Sequence, residues 1–403
     1  MRAGMLVGAL ATKQHQVTWW TSAFNHSNKR HRTPNSTALT SSEGIRSILL
    51  RGVGYTRNIG VPRLVNHYQV AREFDRLCEA EIKPDLIFCC WPTIELGFAA
   101  VHYACRHSVP IVLDVRDLWP DIYADIMPGP LRPFGRAVLA PYFHMTRSAF
   151  RRCTAIVGIS DGYLEWGLSY AGRPRGAWDA VFPLGYQEPS LWQPQTLENL
   201  EHLRALGVNE SRFPCWFLGS FGDTYDLDSV ILAARELKAR GMMKYQFVLS
   251  GEGEKRAHYE RLARGLDNVV FTGWLNADQI ACMMRLARVG LAAYRKGAPQ
   301  GLPNKIFEYM AAGLPVLSSL TGECGRFLEA NGCGVSYTPG DVGSLLDALL
   351  ALATDEDRRL RLGANALRVF KSRYSASILY PQLVEHLERI AAGAHRGPLL
   401  WAR

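Results

Sequence analysis

Residues 300–319 read QGLPNKIFEYMAAGLPVLSS. The spacing predicts a short helix opened by Asn304 as its N-cap, closed by Gly313, and followed at once by an apolar strand. Lys305 falls in the first turn of that helix. A helix N-terminus carries partial positive charge, so a lysine there is mildly unfavourable unless an anion arrives. Free backbone N–H groups beside a lysine make a diphosphate site. Glu308, one turn on, can accept hydrogen bonds from hydroxyls next to those phosphates. The same residues also read as an ordinary capped helix with surface charges.

Outward from this stretch, strand and helix signals alternate along the chain. Apolar runs at 214–220, 245–250, 268–273, 289–294, 315–319 and 334–337 lie between helical segments. Such runs suit parallel strands covered on both faces. The first half repeats the style at 15–21, 47–51, 84–90, 110–115, 155–159 and 180–183. Two runs of βα units predict an α/β fold with two doubly wound, Rossmann-like domains facing a cleft. The expected boundaries are 1–186, a linker over 187–213, 214–372, and a final helical segment, 373–403, crossing back to the first domain. Residues 2–13 read as a helix before any strand. A doubly wound domain begins with a strand and a Gly-rich turn, so its central first strand is missing, which leaves two inner sheet edges open. Either the chain is truncated at its N-terminus, the favoured expectation, or the sheet is rebuilt.

Composition narrows the function classes. The chain has 403 residues, a net charge of +9 and nine Cys without a C-x-x-C pair. That is neither a zinc pattern nor a disulfide framework, and it suits a reducing cytoplasm. No apolar run reaches the roughly 18 residues of a membrane helix, and no secretory signal is evident at the N-terminus. Within residues 1–70, nine basic side chains stand against Glu43 alone. This cationic face suits an anionic bilayer or a phosphorylated acceptor. No aromatic-interleaved basic motif supports nucleic-acid binding. A helix over 131–153 carries Arg132, Arg136, Arg147, Arg151 and Arg152. It reads as packed on the sheet or lying on an anionic membrane.

Strand ends carry the remaining chemistry. CWFLGSFG (215–222), LSGEGE (249–254) and VVFTGWL (269–275) each follow an apolar strand with small or polar residues. Open α/β sheets bind ligands at that edge. In the first half, VLDVRDLWPD (112–121), WPTIEL (91–96) and GISDG (158–162) do the same. Asp226–Asp228 is D-x-D-like but opens a helix, so no metal is expected there.

Taken together, DVRDLWPD, GISDG, FPLG (182–185), SGEGE, FTGW and GLPNKIFEYMAAGLPV resemble the family-4 glycosyltransferases of GT-B architecture. The nearest likeness is to the bacterial branch that builds O-antigen, capsule and exopolysaccharide. The resemblance implies retaining, metal-independent transfer of a hexosyl or N-acetylhexosaminyl unit. No cofactor is implied; the substrate is a nucleotide-diphosphate sugar, a UDP-sugar. The implied acceptor is a polyprenyl-diphosphate-linked or other glycan, and the implied location is peripheral to the inner face of the cytoplasmic membrane. Donor-binding positions carried over are Gly219, Ser220, Gly251, Glu252, Trp274, Leu275, Gln300, Gly301, Asn304, Lys305, Ile306 and Glu308. Acceptor-side positions are Glu95, Arg116, Asp117 and Ser160, and the catalytic set is Lys305, Glu308, Arg116 and Asp117. Three departures matter. Gln300 stands where the family's E-x7-E element has its first glutamate. GSFGDTY (219–225) has Ser220 in place of an arginine and lacks a following lysine, so Lys305, aided by Arg295 or Lys296, becomes the leading phosphate partner. Arg116 replaces a histidine. Alternatives are a nucleotide-sugar epimerase on the same fold, or a non-catalytic nucleotide-binding relative.

Overall fold

The computed structural model describes residues 2–26, 28–41, 44–57, 60–125, 132–189, 197–298 and 300–394. It separates into two units, Met1–Pro183 with Leu379–Arg403, and Leu184–Ile378. Of the predicted segments, the middle of the linker (190–196), Leu131 and the last residues (395–403) lie outside the described residues.

The second unit is built on a six-stranded parallel sheet. In spatial order its strands are Val269–Gly273, Tyr245–Ser250, Phe213–Leu218, Val289–Ala292, Val316–Ser318 and Gly334–Ser336. This is the doubly wound order 3-2-1-4-5-6. The strands are apolar on both faces: Trp216 packs with Tyr309 and Met310 on one side, while Cys215 and Phe217 pack with Leu227, Val230 and Leu249 on the other. Such two-sided burial explains the continuous apolar runs in the sequence.

Strand order reverses between Phe213–Leu218 and Val289–Ala292, and the pairing there is brief. Cys215 aligns with Val289 and Trp216 with Gly290. Beyond that point the two strands part. The hydroxyl of Tyr309, on helix Asn304–Ala311, enters the gap: it accepts from the Leu218 N–H and donates to the Leu291 carbonyl, each at 3.0 Å. Its ring lies on Gly290, where any Cβ would stand 2.3 Å from the ring. The helix ends as predicted, with Gly313 at φ 66° and the Leu314 N–H returned to the Tyr309 carbonyl. Its start differs. Pro303 occupies the N-cap, extended at φ −76° and ψ 153°, without a side-chain cap. Asn304 is the first helical residue, because the proline ring fixes the extended turn one position earlier than expected.

In the first unit the parallel strands fall into two sheets. One has the order Thr18–Ser22, Arg46–Leu50, Thr37–Thr40, the last pair antiparallel; the other runs Ile87–Trp91, Ile111–Val115, Ala155–Gly158, Ala180–Val181. Ile48 and Leu50 of the first sheet share one core with Trp91, Ile111 and Leu113 of the second. Strands Thr18–Ser22 and Ile87–Trp91 are each paired on one edge only among the described residues. The predicted helix over 131–153 is two helices, Arg132–Val138 and Ala140–Arg152. Pro141 starts the second because its ring and missing N–H cannot continue the first.

Removing the Tyr309 hydroxyl strands the buried Leu218 N–H. Tyr309→Phe is therefore expected to destabilise the second unit by about 2 kcal/mol. A urea titration followed by fluorescence of the buried Trp216 checks this; an unchanged midpoint rules out the structural role.

Candidate functional sites

At the point where the strands of the second unit part, Lys305 sits one helical turn before Tyr309 and faces the same way. It is only 5 % exposed. Its ammonium lies 4.2 Å from the ring centroid of Phe217 and 5.1 Å from that of Tyr225. It also abuts Gly219, where a Cβ would stand 2.5 Å from Nζ. The main chain at Gly219 is itself in contact with Gly251, whose missing side chain would meet the Gly219 carbonyl at 1.8 Å. The glycines of GSFG and SGEG thus let two strand ends and one lysine converge. Burial lowers the Lys305 pKa to about 8, and only Glu308 opposes this. No ion pair forms to Lys305 among the described residues.

Glu308 accepts a 3.3 Å hydrogen bond from Asn304 Nδ2, and burial raises its pKa. Gln300 Oε1 and Asn304 Oδ1 are buried without a partner. The helix start thus brings Glu308 together with two buried acceptor oxygens. Gly301 and Ile306 frame this end of the helix, Ile306 fully buried beneath it. The other candidates divide. Ser220 is exposed and its side chain meets Tyr225. Glu252 is ion-paired with Arg256. Leu275 is a core residue, whereas Trp274 is 74 % exposed beside it.

The two cations expected to aid Lys305 behave differently. Arg295 is engaged by Asp228 at 3.4 Å and approaches Asp223 at 3.9 Å. Lys296 is exposed. Lys255, which closes the SGEGE turn and which sequence reasoning passed over, pairs with Asp223 at 2.5 Å. Asp226 caps helix Leu227–Ala239, accepting from the Ser229 N–H and hydroxyl. Among the described residues no cluster of His, Cys, Asp and Glu could hold a metal ion.

The first unit gathers a second set of groups at its strand ends. Asp114, fully buried, is held by both Arg2 and Arg116, the latter through Nε at 2.8 Å. Arg116 is thus tied down, although its Nη2 is buried without a partner. Asp117 accepts from the Leu118 N–H at 2.9 Å and from Trp119 Nε1 at 3.0 Å, and burial raises its pKa. Glu95 stands in the first turn of helix Ile94–His107, 8 % exposed, with its pKa raised by burial. Ser160 occupies the N-cap of helix Asp161–Ala171, but its hydroxyl is buried, unpartnered and does not cap.

Sequence reasoning missed His67 and Arg63, both on helix Val61–Leu77. The His67 ring stacks on Trp119 at 5.8 Å, and the Arg63 guanidinium lies 4.7 Å over the same indole. His67 Nδ1 is 3.8 Å from Glu95 Oε2. Burial, then the charge of Arg63, lowers the His67 pKa to about 4, so its ring is neutral. Nothing local marks these residues in the sequence; Trp119 brings them beside Glu95 and Asp117.

Comparison with known proteins places both units. The family described as "Glycosyl transferase 4-like domain" matches residues 1–181, and that described as "Glycosyl transferases group 1" matches 213–355. The chain is 29 % identical over 170 residues to alpha-D-kanosaminyltransferase of Streptomyces kanamyceticus, covering 41 % of this chain and 43 % of that protein. It is also 29 % identical over 171 residues to the amylovoran biosynthesis glycosyltransferase AmsK of Erwinia amylovora, covering 41 % and 42 %. The matched stretch thus spans less than half the length of these curated relatives. Anabaena HepE, solved with UDP and glucose, has the same fold: TM-score 0.67 at 15 % identity, over 96 % of each chain.

An anion bound at Lys305 prefers the protonated ammonium. UDP affinity, measured by calorimetry on the whole chain, is therefore expected to fall as pH rises through about 8. The fall should be absent in Lys305→Met. A wild-type affinity that stays flat across that range contradicts the placement of the diphosphate.

Proposed function

Since the chain belongs to the family-4 glycosyltransferases of GT-B architecture, we propose that it transfers a sugar, with retention, from a UDP-sugar to a lipid-diphosphate-linked glycan. The product serves bacterial surface polysaccharide synthesis. The observation that carries this reading is the buried, unpaired ammonium of Lys305 at the reversal of strand order. The relatives with polysaccharide names support the product class.

In this reading the diphosphate lies against Lys305 Nζ and the first amides of helix Asn304–Ala311. Positive charge fixed there stabilises the negative charge that develops as the anomeric C–O bond breaks. The bonding pair leaves with the β-phosphate oxygen. The acceptor hydroxyl forms the new bond on the same face, and its proton passes to the departing phosphate oxygen, the nearest strong acceptor on that side. No protein nucleophile is needed. Glu308 and Gln300 hold hydroxyls of the donor. Gln300, neutral where the family resemblance implies a glutamate, suits a hydroxyl or an N-acetyl group. The glycan acceptor belongs to the first unit, with Glu95 and Asp117 as its hydroxyl partners and the free N–H of Arg116 as a donor.

Peripheral attachment to an anionic membrane from the cytoplasmic side completes the reading. It rests on the basic first 70 residues and on exposed Arg136, Arg147 and Arg151. No helix of the described residues is long and apolar enough to cross a membrane.

Purified protein is to be mixed with a panel of UDP-sugars and a polyprenyl-diphosphate-linked sugar, and the products resolved by mass spectrometry. Transfer is expected, and Lys305→Ala should lower its rate by about 10²-fold or more. Interconversion of the UDP-sugar without acceptor would indicate an epimerase instead. The absence of both transfer and nucleotide binding across the panel would reject the assignment.

A further inference from the structure

The first unit contains a small cavity between helices Val61–Leu77, Ile94–His107 and Ala140–Arg152 and the turn at Trp119. Its walls are apolar, formed by Leu64, Ile94, Pro120 and Leu139, with His67 and Glu95 as its polar end. The interior volume is about 10 Å³, space for one oxygen-sized group. Both polar residues are more than nine-tenths buried, at 6 % and 8 % exposure. Glu95 receives a hydrogen bond from the Tyr142 hydroxyl, yet its Oε1 has no partner. A buried carboxylate oxygen left bare is costly, so a donor is required there.

The donor's chemistry follows from the pair. His67 Nδ1 stands 3.8 Å from the other carboxylate oxygen, Oε2, too far for a direct hydrogen bond, so a group that reaches the bare Oε1 also meets the imidazole. A carboxylate only accepts, whereas a neutral imidazole can offer an N–H. The bridging group must therefore donate on one side and accept on the other. An ammonium cannot accept, and a carboxylate or phosphate oxygen cannot donate. A hydroxyl does both, whether of water or of a sugar. The cavity takes that oxygen alone, and its apolar walls suit a carbon rather than a further polar atom as the bearer. Glu95, predicted here for the acceptor side, lies in the first turn of helix Ile94–His107, just beyond the C-terminal end of strand Ile87–Trp91, the ligand-binding edge of such sheets.

We propose that this cavity is a specificity pocket for a primary hydroxyl, the –CH2OH arm of a hexopyranose in the acceptor, which donates to Glu95 and accepts from His67. The proposal rests on the reading of the chain as a sugar transferase and adds the substituent that it selects. Hexoses bearing a free 6-hydroxyl are accepted, and 6-deoxyhexoses are discriminated against. A site built to bond a hydroxyl rejects the analogue lacking it, because its own polar groups are then left unpaired.

The test uses the whole chain and methyl glycosides of glucose, mannose and galactose, each beside its 6-deoxy counterpart. Dissociation constants are read by NMR titration, with UDP binding measured in parallel. At least one parent glycoside should bind at least about tenfold more tightly than its 6-deoxy form. Glu95→Ala should erase that difference and leave UDP affinity unchanged. Equal binding of every parent and its deoxy form, no glycoside binding at all, or discrimination that survives Glu95→Ala overturns the pocket. If UDP is bound in those cases, the transferase reading stands; if the wild-type chain binds neither UDP nor any glycoside, that reading falls as well.

Discussion

One hydroxyl organises the second unit. Tyr309 bridges the Leu218 N–H and the Leu291 carbonyl where two parallel strands diverge. Strand divergence at a reversal of sheet order leaves backbone groups without ladder partners, and burying them bare is costly. By satisfying both, Tyr309 fixes the height and rotation of helix Asn304–Ala311 against the sheet. Gly290 is needed because the ring occupies the space of its side chain. Lys305, four residues earlier on the same face, is then held against Gly219 and Phe217. The position of the ammonium is a consequence of the packing of the tyrosine.

The electrostatics point the same way. Burial of an ammonium that forms no ion pair among the described residues costs free energy, and although the charge of Glu308 opposes the shift, its pKa falls to about 8. Two buried carboxylates of the first unit are neutralised: Asp114 is met by Arg2 and Arg116, and Asp179 by Arg173. Around GSFGDTY the nearby cations Lys255 and Arg295 are occupied by Asp223 and Asp228. Lys305 is left for a ligand. In the proposed donor site a diphosphate would supply that counter-charge, so the cost carried by the folded state would become binding selectivity for an anion.

Much of the architecture was legible because parallel strands buried on both faces leave continuous apolar runs. Strand 245–250 and the helix stop at Gly313 are examples, and the interruption of the first unit's sheet followed from its opening helix. The antiparallel strand Thr37–Thr40 was missed: TALT is short and largely exposed, with little apolar signal. The N-cap was misplaced by one residue because Pro303 outweighs the side-chain preference of Asn304. Of the site, Lys305 and Glu308 were visible through helix-end chemistry. Arg116, assigned to the acceptor side on the family resemblance, is bound to Asp114. His67 was hidden, since its meeting with Glu95 depends on Trp119 packing between separate segments.

The placement of the diphosphate is tested most directly by a crystal structure of the whole chain with UDP bound. The account predicts a β-phosphate oxygen in hydrogen-bond contact with Lys305 Nζ, beside the amides of Asn304 and Lys305, with Tyr309 still bridging Leu218 and Leu291. A diphosphate held instead by Lys255 or Arg295, with Lys305 untouched against Phe217, would contradict it.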